Sequence, residues 1–257
     1  MRHTRLVCAV SLLLSVVPGR TALAQQPYPA LKPVQVIMPF AAGGSSDLAG
    51  RVLTELLGRE LKQSFPVVNI AGAGGSIGAA QVARAAPDGY TLLIGTPGSM
   101  VNNPNLQRDI AYDPLRDFAA ICFAWTQPTV VLVHKDAPFK SLKDLVTEAK
   151  RNPGKINFSS GGIASFNHLG AELFSSQSGI RMTHIPYKGG APATLDLIAR
   201  NVEVMFSTPN VLLSARDKLV GLAIAASSRS PFVPEVPTSA EAGFPGYIYG
   251  AWGGLFA

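Results

Sequence analysis

Val34–Asp47 reads VQVIMPFAAGGSSD, and Leu48–Leu61 continues it as LAGRVLTELLGREL. An apolar run, a glycine turn and a helix-period stretch make a strand, a loop and a helix in succession. Pro66–Ser76, PVVNIAGAGGS, repeats the order and leads into IGAAQVARAA. Glycines let backbone N–H groups crowd towards one point, and the N-terminus of the following helix adds about half a positive charge there. Two such loops in one βαβ unit predict a site for a small anion, held without formal charge at the C-terminal ends of the strands. Glycines that serve only tight turns are the plain alternative for either loop alone.

The same alternation runs outward from this unit. Strands are predicted at Val34–Met38, Pro66–Ile70, Tyr90–Gly95, Ile121–Trp125, Val130–His134, Ile156–Ser159, Met182–Pro186, Val202–Phe206, Leu219–Ala225 and Tyr247–Tyr249. Helices are predicted at Ser46–Lys62, Ser76–Ala85, Leu142–Arg151, Phe166–Gln177, Pro192–Ala199 and Ser239–Ala242. Ser141 with Asp144, and Thr238 with Glu241, are spaced as capping boxes. Short connections between alternating strands and helices predict an α/β fold with mainly parallel sheets and helices on both faces. The pattern restarts near Lys135, so two lobes are expected. Residues 25–128 and 227–257 would form the first lobe and 129–226 the second, with the return near Ala226–Arg229. Glycine and hydroxyl loops occur in both lobes, and such a layout places a ligand in the cleft between them.

The first 24 residues read as an export signal. Arg2 and Arg5 precede the apolar run LVCAVSLLLSVV, and Ala22-Leu23-Ala24 is a small-x-small cleavage sequence. The run is too short to anchor the chain in a membrane. Losing Arg2, Arg5 and Arg20 lowers the net charge of +6 by three, so the basicity belongs partly to the leader. What remains has no basic stripe, and nucleic acid is not an expected partner. Beyond the leader, Cys122 is the one cysteine. It sits in AAICFAW and is expected in the core, with no intrachain disulfide.

Enzyme motifs find little support. Gly74-Gly75-Ser76-Ile77-Gly78 matches the nucleophile elbow, but Ala71–Gly75 separate Ser76 from its strand, whereas an elbow serine stands at the strand's end. Ser76 therefore reads as a helix start, and a serine hydrolase is the weaker alternative. Gly72-Ala73-Gly74 opens a dinucleotide fingerprint that Ile77 breaks. His134, His168 and His184 form no close metal-ligand spacing. No cofactor and no metal are expected. None of the candidate loops carries Arg, and only YKGG carries Lys188. A buried carboxylate would then be satisfied by backbone N–H groups, hydroxyls and water, a set that binds an anion without chemistry to perform on it.

The blocks YPALKPVQVIMPFAAGGSSDLAGR, AGAGGSIGAAQVARAAPDGYTLLIG, NPNLQRDIAYDPLRDFAAI, PGKINFSSGGIASFNHLGAELF, HIPYKGGAPATLDLIARNVEVMF and PEVPTSAEAGFPGY with AWGGLFA follow in order. Together they resemble the Bug-type receptors, the periplasmic substrate-binding proteins of tripartite tricarboxylate transporters. The resemblance implies a two-lobed receptor of the type II periplasmic-binding-protein kind that closes on a small carboxylate and delivers it to membrane permease subunits. It also implies a periplasmic monomer without catalytic residues. Carried over, first-lobe contacts fall on Phe40, Ala41, Ala42, Gly43, Gly44, Ser45 and Asp47, with Ala73, Gly74, Gly75 and Thr96 beside them. Second-lobe contacts fall on Ser160, Gly161, Ser165, His168, Tyr187, Lys188, Gly189, Ser207 and Thr208. Ala42, Gly43 and Ser45 are expected to donate to the carboxylate, directly or through water. Asp47 either orders its own loop and caps the helix or meets a ligand amine or hydroxyl.

The ligand stays open among dicarboxylates, amino acids, aromatic acids and citrate-like acids. A receptor that reports to a signalling partner shares every one of these features. Two departures stand out. Ile70 and Ala71 replace the Arg-Pro usual at the second loop. Family members also continue beyond AWGGLFA, whereas this chain ends at Ala257. On that comparison the first lobe is expected to lack its final helices, to leave apolar sheet surface open, and to bind weakly or not at all.

Overall fold

The computed structural model describes residues 28–257; the leader and its cleavage point at Ala24 lie outside the described residues. In chain order the strands are β1 Gln35–Met38, β2 Val67–Asn69, β3 Thr91–Gly95, β4 Ala120–Pro128, β5 Val130–His134, β6 Asn157–Ser160, β7 Thr183–Pro186, β8 Val204–Ser207, β9 Leu219–Ile224 and β10 Gly250–Phe256. The helices are α1 Ser45–Leu61, α2 Ser76–Ala83, α3 Asn103–Leu106, α4 Leu142–Arg151, α5 Phe166–Ser178, α6 Gly190–Ile198 and α7 Pro209–Ser214.

Two five-stranded sheets share one plan, β2-β1-β3-β10-β4 and β7-β6-β8-β5-β9. In each, three parallel strands are followed by one reversed strand and then a fifth that turns back, so four of the five point the same way. The reversed strand is the newcomer in both. β5 enters the second sheet straight from β4 of the first, and β10 enters the first sheet from the second. Helices cover both faces of the central strands because these are apolar on both, while β4 at the edge of the first sheet lies open. Leu53 and Leu57 of α1 pack over Val36, Met38 and Ile94, while Ala79, Ala80 and Val82 of α2 pack over Ile37 and Leu93. In the second lobe α4 and α5 pack on Val131, Phe158 and Phe206, and α6 and α7 on Val130, Leu132 and Met205. Phe174 sits at the centre of an aromatic group with Phe206, Phe244 and Tyr247, at centroid distances of 5.6, 5.4 and 5.2 Å.

Several expectations shift. The chain returns to the first sheet at Gly250, not near residue 227. Val233 and Val236 pack on one face of the second sheet, and Ala242, Phe244 and Tyr247 on the other. Tyr247 is not in a strand; its hydroxyl reaches Gly170 O at 3.1 Å inside the second core. No helix forms at Ser239–Ala242, although the capping box does: Glu241 N–H donates to Thr238 Oγ1 at 3.1 Å and Thr238 N–H to a Glu241 carboxylate oxygen at 2.7 Å. Gly243 and Pro245 end the turn before a helix can grow. Cys122 is exposed rather than buried, because β4 is an edge strand; its neighbours Ile121 and Phe123 are exposed too. The lobes meet where Thr129 N–H donates to Tyr249 O at 2.9 Å and Ala225 N–H to Thr129 O at 2.7 Å, which binds the crossing segments side by side.

Candidate functional site

The first glycine loop leaves β1 at Pro39 and enters α1 through Gly44, an N-cap without a side-chain hydrogen bond. The first helical bond is Leu48 N–H to Gly44 O, which leaves the amides of Ser45, Ser46 and Asp47 without a helical acceptor. Asp47 is 1% exposed and belongs to the loop's own scaffold. Its Oδ2 accepts from Gly43 N–H and from Arg51 Nε, both at 2.9 Å, and its Oδ1 accepts from Asn69 Nδ2 at 2.7 Å. Asn69 also donates to Phe40 O at 2.9 Å. Burial works against the Asp47 carboxylate, but the bonds from Arg51, Asn69 and Gly43 outweigh it and hold its pKa below the ordinary value. Two sequence expectations are corrected here. The Gly43 N–H is committed to Asp47 and is not a free donor, and Asp47 stands inside the first turn rather than at the cap.

Three helices aim their N-termini at one place. A cavity of about 20 Å³ is lined by Phe40, Gly44, Ser45, Ser46 and Asp47 of the first lobe and by Gly161, Phe166, Asn167 and Gly190 of the second. Ser45 opens α1, Phe166 opens α5 and Gly190 opens α6. α6 resembles α1 in having a glycine N-cap, Gly189, with no side-chain bond; α5 is capped by Ser165, which accepts from His168 N–H. No lysine or arginine lines the cavity. The partial positive charges of three helix ends converge there, with Asp47 in the first turn of α1 the one carboxylate in the lining. A volume near 20 Å³ holds about one water, so a larger guest requires the lobes to separate.

The lobes touch at main-chain carbonyls of the second lobe. Ala41 N–H donates to Lys188 O at 3.3 Å, and Asn102 Nδ2 donates to Ala164 O at 2.9 Å. At Gly74, φ +61°, a Cβ would lie 2.2 Å from Ile163 O, and at Gly189, φ +145°, it would lie 2.7 Å from Ala41 N. Only glycine fits either contact.

The remaining expected site residues divide. Gly75 is buried behind Phe40, while Ala42 and Ala73 are exposed. Thr96 is buried with its N–H on Ser99 Oγ at 3.1 Å and does not line the cavity. Lys188 reaches the first lobe with its carbonyl; its side chain is exposed. Tyr187 donates its hydroxyl to Asp196; burial, with Asp196 adding to it, pushes the phenol up to about 12. Ser160 bonds to His184 at 2.6 Å, and His168 accepts the Ala164 amide at 3.2 Å, so both stand behind the loop that faces the cavity. Thr208 bonds to Asn210. The Ser207 hydroxyl is buried without a partner. Ser76 Oγ also has no hydrogen-bond partner among the described residues, and so no base to activate it.

Sequence reasoning missed the asparagines. Asn69 ties two loops together, Asn102 bridges the lobes, and Asn103 holds the second glycine loop by donating to Ala73 O and Gly74 O at 3.1 and 3.0 Å. Asn167 lines the cavity. A polar residue ending the apolar PVVN, and the pair in MVNNPN, were the available signals.

Residues 49–257 match the profile of the tripartite tricarboxylate transporter family receptor. The chain belongs to that receptor family. Protein BugT of Bordetella pertussis is 35% identical over 263 residues, which cover 100% of this chain and 79% of that one. MatC from Rhodopseudomonas palustris, solved with bound malate, superposes with a TM-score of 0.84 at 34% identity, covering 89% of this chain and 78% of that one. A second R. palustris protein, solved with adipate, gives 0.85 at 34% identity, covering 90% and 77%. Periplasmic binding protein BugD superposes with a TM-score of 0.84 at 34% identity, covering 90% of this chain and 77% of that one. Among the described residues of this tripartite-transporter receptor, no helix is long and apolar enough to cross a membrane.

Proposed function

We propose that this protein is an exported receptor that captures a small organic carboxylate between its lobes and hands it to the permease subunits of a tripartite tricarboxylate-type transporter. The observation that carries the reading is the convergence of α1, α5 and α6 on one cavity without a cationic side chain. Helix N-termini supply a positive field and free amides, the recognition set for a carboxylate. Ser45 and Ser46 amides on one lobe and Gly190 and Gly161 amides on the other are the donors, with Asn167 beside them. Gly74 and Gly189 let the lobes close over the ligand. Ser165 serves by capping α5, and Tyr187, Ser160 and His168 by holding second-lobe loops. The malate and adipate held by the two R. palustris relatives fit this assignment. The leader is cut after Ala24, and the protein works as a periplasmic monomer with residues 28–128 and 250–257 in the first lobe.

A thermal-shift screen of malate, adipate, other dicarboxylates, amino acids and aromatic acids tests it. A binding acid at a hundred times its Kd adds about 2.7 kcal/mol of apparent stability. No shift with any acid, or hydrolysis of model esters lost on Ser76→Ala, overturns the reading.

A further inference from the structure

His168 of α5 and His184 of β7 stack ring on ring, with centroids 4.0 Å apart and planes at 25°. Phe158 of β6 backs His184 at 4.9 Å. Each imidazole holds the loop Ser160–Ser165 from beneath. The Ala164 amide donates to His168 Nδ1 at 3.2 Å, so that nitrogen keeps its lone pair and the ring proton sits on Nε2. His184 Nε2 lies 2.6 Å from Ser160 Oγ, and the same hydroxyl bonds the Gly162 N–H and O, each at 3.1 Å. The loop in turn carries the first lobe. Ala164 O takes the bond from Asn102, and Ile163 O is the atom packed against Gly74.

We propose that His168, stacked on His184, is a positioning residue that holds the Ser160–Ser165 loop while neutral and releases it on protonation, which makes closure of the cleft proton-dependent. A proton on His168 Nδ1 removes the acceptor and sets one N–H against another. A charge on either ring faces the other at stacking distance, so the pair cannot carry two protons cheaply. On α5 itself Glu172 lies 3.8 Å from His168 Nε2 and draws a proton towards that ring. From the crossover packed on α5, Tyr247 and Tyr249 are raised by burial and stay neutral. Burial lowers His168 despite Glu172, and burial with the charge of His168 lowers His184 to about 4. A free histidine titrates near 6.5. With His168 lowered in the closed arrangement, that arrangement binds fewer protons than the released one below about 6.5, and closure weakens as the pH falls from there through the lowered His168 value.

The inference rests on the carboxylate-receptor reading only for its effect on binding. Hydrogen exchange of the Ala164 amide needs no ligand, so a failed acid screen and a pH-independent Ala164 refute different claims. His168→Asn places an amide oxygen where Nδ1 stands and cannot titrate. The expected result is a loss of at least tenfold in Ala164 protection from pH 7 to 5 in the wild type, after correction for the intrinsic rate, and less than twofold in His168→Asn. Equal losses in both, or none in the wild type, overturn the proposal. Should His168→Asn fail to fold, ring-nitrogen shifts of the wild type decide. A bare Nδ1 at pH 7 that gains its proton as Ala164 loses protection supports it; a proton on Nδ1 at pH 7 overturns it.

Discussion

Asn69 donates to Asp47 at 2.7 Å and ties the end of β2 to the first turn of α1. Asp47 meets three donors there, from Gly43, Arg51 and Asn69, while 1% exposed. Asp47→Ala would take the acceptor from the Gly43 amide, one of two acceptors from Asn69, and the ion-pair partner from Arg51. The expected loss is about 3 kcal/mol, measured by urea unfolding; a change below about 1 kcal/mol would show that the network does not hold the loop.

The same carboxylate predicts an acid-side slope. Its folded pKa lies below the ordinary value, so its contribution is complete above the unfolded pKa near 3.9 and drains away as pH falls through the lower folded value. The wild-type urea midpoint should therefore drop below about pH 4, with a visibly shallower drop in Asp47→Asn. Parallel curves would assign the slope to other groups.

Gly74→Ala puts a Cβ 2.2 Å from Ile163 O, at φ +61°. Gly179 has the same φ with nothing within 4 Å, so Gly179→Ala carries the backbone strain without the lobe contact. Gly74→Ala should raise the radius of gyration in small-angle scattering and weaken any identified acid at least about tenfold, or about 1.4 kcal/mol. Gly179→Ala should do neither. Equal behaviour of the two variants would mean that the glycine is needed for its turn alone.

Lys188 accepts the Ala41 N–H of the first lobe with its carbonyl, and its side chain is exposed. Calorimetry on Lys188→Ala should find acid affinity changed by less than about twofold, well under the tenfold step of 1.4 kcal/mol. A large loss would place an ammonium in the site and displace the helix-end donors from their role.

Phe174 is fully buried among Phe206, Phe244 and Tyr247. Phe174→Ala should cost about 3–5 kcal/mol by chemical denaturation. A cost below about 2 kcal/mol would mean that this cluster collapses to fill the space.

Local pattern carried much of the fold because central strands in such sheets are apolar throughout. VVLVH was readable as β5 residue for residue, and LKDLVTEAKR as α4 behind its Ser141 cap. The last strand was placed too early, at Tyr247–Tyr249, because GAWGGLF is rich in glycine and becomes regular only between β3 and β4. Tyr247 was misplaced for the converse reason. YIY has strand propensity, yet the pocket beside Phe174 and the acceptor at Gly170 take its ring out of the sheet. The first glycine loop could be placed at the cleft from its spacing alone, whereas the second packs Gly74 against Ile163 and does not line the cavity. That Gly43 spends its amide on Asp47, and that α6 joins α1 at the cavity, depended on contacts between distant segments.

The exchange of β5 and β10 between the sheets also sets an order of assembly. All five strands of the second sheet come from one continuous run, Val130–Ile224. The first sheet must wait for Gly250–Phe256, with Gly254 opposite Gly95 across most of the chain, and pairings so remote in sequence are slow to form. Both tryptophans lie at that late seam, Trp125 on β4 and Trp252 on β10, in registers one step apart. Tryptophan emission in a refolding experiment is thus blind to the early sheet and times the arrival of the last strand.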